Sequence, residues 1–263
     1  MSAFETIDVA REGAIARITL NRPGTANGID LQMAGELLQA SLDCRHDAGV
    51  RAVVLSANGR MFCAGGDLNG FVANAARLQS HLKELTLLLH GAISNFARMR
   101  APLIVAVNGA AAGAGFSLAL AGDLVLAARS AKFALAYTAA GLVPDAGASH
   151  FLPRVVGLRR AQELILTNRR LNAEEALQWG IVTRVVDDAE LPAAATALAS
   201  EIAAGATQAY GAVKRLLVST CQNTLETQLD LEGSEIAAAA VTADGQEGVA
   251  AFLAKRAPVY TGN

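Results

Sequence analysis

The sequence predicts an α/β fold with a helical C-terminal region. Three observations carry this. Five short runs rich in branched aliphatic residues recur over the first 186 residues, and stretches of helical character separate them. The runs are nearly continuous in apolar residues, as strands buried on both faces are. After Val186 the strand-like runs stop, and Ala-rich helical stretches continue to the end. Alternation of the two kinds of segment is the mark of an α/β core.

The elements follow in order. IARITL (15–20) is the first strand. The turn in TLNRPGTANGI (19–29) leads to a helix over Ile29–Asp47, with Asp30 as its N-cap. RAVVLS (51–56) is the second strand. RMFCAGGDL (60–68) then breaks into glycines, with a helix start near Asp67. Glycines let the chain turn tightly, and free N–H groups at a helix start attract negative charge. Ala75–Arg100 reads as a long amphipathic helix. LIVAV (103–107) is the third strand, and VNGAAAGAGFSLALAGD (107–123) leads through a Gly/Ala loop into a short buried helix, Gly115–Ala121. That loop lacks the Lys-Ser/Thr ending of a phosphate loop and the spacing of a dinucleotide fingerprint, so a nucleotide cradle is not expected. DLVLAA (123–128) and IVTRVV (181–186) are the remaining strands. Helices are expected at Leu158–Leu166 and at Ala173–Trp179, the second capped by Asn172. Four more follow, at about 188–204, 206–222, 224–240 and 243–254. A boundary near residue 200 divides an α/β core (1–200) from a helical C-terminal region (201–263).

Composition narrows the function. With 52% apolar residues the chain can build a sizeable core, and a net charge of −2 offers no basic footprint for nucleic acid. Cys44, Cys63 and Cys221 are scattered without metal-ligand spacing, which fits a reduced cytoplasmic protein without a metal. The N-terminus has acids and no apolar core run, so it is not read as a signal peptide. No uncharged apolar run reaches the ~20 residues that a membrane span requires.

AAGLVPDAGAS (139–149) raises a sharper question. Asp145 is its one charged residue, and the only acid between Asp123 and Glu163. An aspartate after a turn is a good helix cap; a lone carboxylate among apolar neighbours is also a candidate catalytic group. Both readings stay open on local sequence. Asp67 reads as a cap and Cys63 as a small buried hydrophobe. His46 and His150 have no visible partners and read as structural or exposed. His90, in LTLLLHGAI, packs against the core or faces a site.

Taken together, TLNRPGTANGI, FCAGGDL, NGAAAGAGFSLALAGD, LVPDAGAS and FLAKRAPVYTG (252–262) resemble the enoyl-CoA hydratase/isomerase (crotonase) superfamily over essentially the whole chain. The resemblance implies a spiral of ββα turns, a helical C-terminal region that packs at trimer interfaces, and an acyl-CoA thioester as substrate. A homotrimer or a dimer of trimers is implied. Coenzyme A is then part of the substrate, and no separate cofactor is expected. By motif position the amides of Ala64 and Ala114 hold the thioester oxygen as charge develops on it. The same positions imply substrate contacts at Gly28, Gly66, Asp67 and Leu68. Gly113, Tyr137 and Lys255 are further candidates, Lys255 as a partner of the CoA phosphates or simply a solvated helix-end lysine.

Departures from the family are informative. The two glutamates of family hydratases correspond to Ser117 and Tyr137, whose hydroxyls are no obvious replacement at neutral pH. Ring-1,2-epoxyphenylacetyl-CoA isomerases resemble the chain around Asp145, in NTLETQLDLE (223–232) and in EGVAAFLAKRAP (247–258). There the aspartate is a proton-shuttling base. The 4-chlorobenzoyl-CoA dehalogenases resemble AKFALAY (131–137) and VVGLRRAQELILTNRRL (155–171); they use an aspartate at the position of Asp145 as nucleophile and a histidine at that of His90 as base. Their residue at the position of Tyr137 is tryptophan. Three readings result: an isomerase shuttling a proton on Asp145, a hydratase or hydrolase using Asp145 and His90, or a non-catalytic acyl-CoA binder.

Overall fold

A computed structural model describes residues 4–263. A hairpin opens the chain: β1 (Ile7–Glu12) and β2 (Ile15–Leu20) pair antiparallel through Gly13, whose φ of +59° suits the tight turn. β1 was not expected. It is an edge strand with a largely solvated face, so it lacks the continuous apolar run of its neighbours. α1 (Leu31–His46) follows, and the Asp30 carboxylate accepts the Met33 N–H at 2.9 Å, the expected cap.

From here the chain repeats one unit. β3 (Ala52–Ala57) joins the large sheet, and β4 (Met61–Cys63) turns away into a small one. α2 (Leu68–Ala73) and α3 (Leu78–Arg98) complete the turn. β5 (Leu103–Val107), β6 (Ala110–Ala112) and α4 (Ala114–Leu120) form the next. β7 (Leu124–Ala128) and β8 (Lys132–Ala134) lead to α5 (Ala148–Val156) and α6 (Leu158–Thr167). β9 (Leu171–Asn172), α7 (Ala173–Gln178) and β10 (Arg184–Val186) close the series. The large sheet has the order β1-β2-β3-β5-β7-β10, and the small one β4-β6-β8-β9. Between β2 and β10 the large sheet is parallel throughout, as are β4, β6 and β8 in the small one. This is a spiral of ββα turns.

The small sheet escaped the sequence reading because its strands have two or three residues each, below the length at which periodicity registers. β10 is shorter than expected. Ile181 and Val182 instead bond back to the Ala176 carbonyl around Gly180, whose φ of +78° closes α7. α5 was also missed, for Pro153 inside it reads as a breaker. The expected caps at Asp67 and Asn172 are present, Asn172 as a full capping box with Glu175.

Both faces of the large sheet are covered. One packs Val53, Leu55, Val105 and Val125 against Met33 and Leu37 of α1 and Leu89 of α3. The other packs Val54, Ile104 and Leu126 against Leu191, Ala195 and Ala199 of α8 (Leu191–Ala203). The expected boundary at residue 200 therefore falls inside a helix that covers the sheet. Beyond it come α9 (Thr207–Ser219), α10 (Leu225–Ala240) and α11 (Ala243–Leu253). α9 is tied to the core by Lys214, whose buried ammonium meets Asp123 Oδ2 at 2.6 Å and the Phe96 carbonyl at 2.9 Å. Among the described residues no helix is long and apolar enough to cross a membrane.

Candidate active site

The C-terminal ends of β4, β6 and β8 converge on one cavity of about 290 Å³. Its floor is made by Ala64, Gly65 and Gly66 after β4, by Gly113 and Ala114 after β6, and by Leu135, Ala136 and Tyr137 after β8. Phe71, Leu82, Leu85, Leu142 and Val143 give it apolar walls. Asp145 is the one acid among the described lining residues.

Two glycines set the floor by close approach. A Cβ on Gly115 would collide with the Cys63 carbonyl, so α4 starts directly against the end of β4. A Cβ on Gly65 would stand 3.2 Å from the Ala114 nitrogen. The two loops are thereby pressed together, which brings their amides to the same cavity.

The amides are not the pair the motifs predict. Ala64 N–H donates to the Ala26 carbonyl at 3.0 Å and is not free. Gly66 N–H and Ala114 N–H have no acceptor among the described residues, and both line the cavity. The correction has a physical cause. Ile29 N–H bonds to Gly65 O and Asp67 N–H to Ile29 O, a bridge that fixes the loop and leaves the Gly66 amide unpaired. Cys63 is a buried thiol held near the Asn27 carbonyl, and burial pushes its pKa up to about 12.

Asp145 is not a cap. α5 begins after Gly147, with no side-chain cap bond. The Asp145 carboxylate, about a quarter exposed, is held on two sides instead. Tyr137 donates its hydroxyl proton to Oδ1 at 2.5 Å, and His90 Nε2 lies 3.8 Å from Oδ2. Ser117, fully buried on α4, stands 3.0 Å from the Tyr137 oxygen. The two positions at which hydratase glutamates were expected, and the lone aspartate, thus form one hydrogen-bonded chain. Burial, and next the Asp145 charge, raise the Tyr137 pKa well above the usual phenol range, so it stays a proton donor.

His90 is exposed rather than tucked into the core. Its Nε2 accepts the Ala146 N–H at 3.1 Å, which places the neutral ring's proton on Nδ1. Ala146 carries a φ of +48°, uncommon for a residue with a side chain. This left-handed turn directs the amide after Asp145 at the histidine. His90 does not line the Asp145 cavity; it borders a second one, whose wall holds Arg45, Arg98, His150 and Arg215. Burial, then Arg154 and Arg98, lower the His150 pKa.

The remaining candidates scatter. Asp67 caps α2 and pairs with Arg22, and Leu68 lines the cavity with its side chain half exposed. Arg22, unforeseen, also reaches Asp30 at 2.9 Å and the Gly28 carbonyl, knitting the 22–30 turn to the Gly66 loop. Gly28 is buried beneath that turn beside Asp67 and does not line the cavity. Lys255 is exposed after α11 and does not line it either.

A spiral of ββα turns whose parallel strand ends bring unpaired amides and one carboxylate to an apolar cavity defines a recognisable class. The enoyl-CoA hydratase/isomerase family model matches residues 10–263, and the chain belongs to that family. It is 42% identical over 252 residues to the 1,2-epoxyphenylacetyl-CoA isomerase of Escherichia coli (strain K12), covering 95% of this chain and 96% of that one. It is 35% identical over 250 residues to 4-chlorobenzoyl coenzyme A dehalogenase-2 of an Arthrobacter species, covering 95% and 91%. Among solved structures, an enoyl-CoA hydratase from Polaromonas sp. JS666 superposes with a TM-score of 0.92 at 34% identity, covering 97% of this chain and 99% of that one. The chain has the crotonase fold, and an acyl-CoA thioester substrate is implied by the family.

Proposed function

We propose that the protein isomerises an unsaturated or ring-bearing acyl-CoA by moving one proton on Asp145. The observation that carries this is the pairing, in one apolar cavity, of a single lining carboxylate with two unpaired amides. The thioester oxygen sits against Gly66 N–H and Ala114 N–H. Asp145 removes a proton α or γ to the thioester, the C–H electron pair becomes the enolate, and its charge rests on the oxygen between the amides. Return of the proton at the other carbon shifts the double bond; where the enolate pair instead breaks a ring C–O bond, the proton returns to the released oxygen. Each amide in comparable sites stabilises the transition state by about 3–4 kcal/mol. CoA belongs to the substrate, and the reaction needs no further cofactor.

The alternatives have less support. Hydration of the family's usual kind needs two glutamates, and here Ser117 and Tyr137 are bonded into a chain ending on Asp145. Hydrolysis through His90 needs a free Nε2 lone pair, which the Ala146 amide occupies. The isomerase relative favours the same reading. Phe71 and Tyr137 on the wall suit an aromatic or alicyclic acyl group. We further propose a homotrimer or dimer of trimers, supported by the apolar side chains exposed on α10 and α11, with Lys255 reaching the CoA phosphates of a neighbouring subunit.

The test is a panel of linear, unsaturated and aromatic-derived acyl-CoAs, incubated once in deuterated buffer and once in oxygen-18 water. A rearranged product carrying deuterium and no oxygen-18 is expected. Oxygen-18 in the product, or halide release from a halobenzoyl-CoA, would put hydration or hydrolysis in its place.

A further inference from the structure

We infer that Tyr137 and Ser117 form a positioning relay that decides which oxygen of Asp145 carries the proton, and hence between which substrate carbons it moves. The inference rests on the isomerase reading of Asp145. Its basis is the polarity of the hydrogen bonds. A carboxylate only accepts, so the phenol, with its single proton, donates to Oδ1. At the Ser117–Tyr137 contact the tyrosine oxygen must then accept and Ser117 donate. The direction of the chain is fixed, Ser117 to Tyr137 to Asp145.

One consequence is that the two carboxylate oxygens are not equivalent. Oδ1 is engaged by a short, charge-assisted bond, and Oδ2 is the oxygen left to take a proton. Once protonated on Oδ2, the acid still accepts from Tyr137 at Oδ1. No donor has to turn between the two states, which is the preorganisation a shuttle needs. The other consequence is spatial. Ser117 lies on α4, and the first residue of α4 is Ala114. The relay thus ties the base to the same short helix that presents an amide to the thioester oxygen. Anchoring Oδ1 in this way fixes where Oδ2 stands relative to the Ala114 amide, and that position selects the carbon from which the proton is taken.

Packing does not require the phenol. Phenylalanine fills the same space, and Ser117 Oγ lies 3.3 Å from the Gly113 carbonyl, a ready alternative acceptor. Ser117 is fully buried and Tyr137 half-buried on the cavity wall, and Tyr137 remains protonated there.

The experiment compares Tyr137→Phe, Ser117→Ala, their double variant and Asp145→Asn, reading kcat, KM, melting temperature and the positions of deuterium in the product. Tyr137→Phe is expected to lower kcat about 10- to 100-fold, the worth of one hydrogen bond to a charged group, with KM within about threefold. Deuterium that sits at one carbon in the wild-type product spreads over the α and γ carbons. Ser117→Ala lowers kcat by less, and its effect disappears in the Tyr137→Phe background, because it acts only through the phenol. If Tyr137→Phe does not fold, Ser117→Ala alone carries the label test, since a shifted deuterium pattern is not a consequence of lost packing. Wild-type kcat and labelling in Tyr137→Phe, or additive losses with an unchanged pattern, overturn the relay. Turnover surviving in Asp145→Asn overturns the isomerase reading beneath it, whereas a dead Asp145→Asn beside a fully active Tyr137→Phe sinks the relay alone.

Discussion

Gly115 shows how one residue can set a site from outside it. Its missing side chain lets α4 start against the Cys63 carbonyl, and that contact places the Ala114 amide at the cavity. Gly115→Ala would force α4 and β4 apart, since neither neighbour is the free end of a flexible chain. Overpacking of this kind costs about 1–3 kcal/mol, so urea unfolding should show that loss together with weaker activity. Wild-type stability in this variant would mean the contact has slack. The same residue scale shows what the sequence could not reveal. Small side chains at 64–66 and 113–115 mark backbone chemistry, but which N–H is free depends on the Ala26 and Ile29 carbonyls, on segments remote in sequence. Asp145 was visible as an isolated acid. The resemblance placed Ser117, Tyr137 and His90 in the same site, but not the bonded chain from Ser117 through Tyr137 to Asp145, because Ser117 and Tyr137 become neighbours only when β6 and β8 pair.

At the scale of elements, the strands of the large sheet were legible because burial on both faces makes them continuously apolar. The small sheet, which holds the site, was the least legible part, being built of strands of two or three residues anchored mainly by their neighbours. The C-terminal helices were legible as helices, though not in what they cover. α9 docks through the buried Lys214–Asp123 pair, and one partner without the other would leave an uncompensated buried charge. α10 has no buried residue, and Leu225, Leu229 and Ile236 stand exposed along one face of it. A helix bare of core contacts is unlike one stable alone, and its apolar face asks for a cover. The proposed trimer supplies it. Light scattering on a sizing column should give three or six times the chain mass of 27.1 kDa, and a monomer at micromolar concentration would contradict the assembly.

For the whole molecule, the spiral explains why the site lies where it does. Each turn sends one strand to the large sheet and the next to the small one, so the loops after β4, β6 and β8 stack on a common side. Amides come from the first two loops, and the third leads through Tyr137 to Asp145. The fold thereby brings one acid and two unpaired amides to the same apolar pocket. The most direct test of this account is turnover of a rearranging acyl-CoA by Asp145→Asn, alongside its binding of the same thioester. The variant keeps the shape of the side chain and its acceptor oxygen but cannot take a proton. Binding within about threefold of wild type and a loss of kcat of about a thousandfold or more are expected, since a general base contributes typically 10²–10⁴-fold. Turnover near the wild-type rate would show that Asp145 is a fixture of the pocket wall and that the proton moves elsewhere.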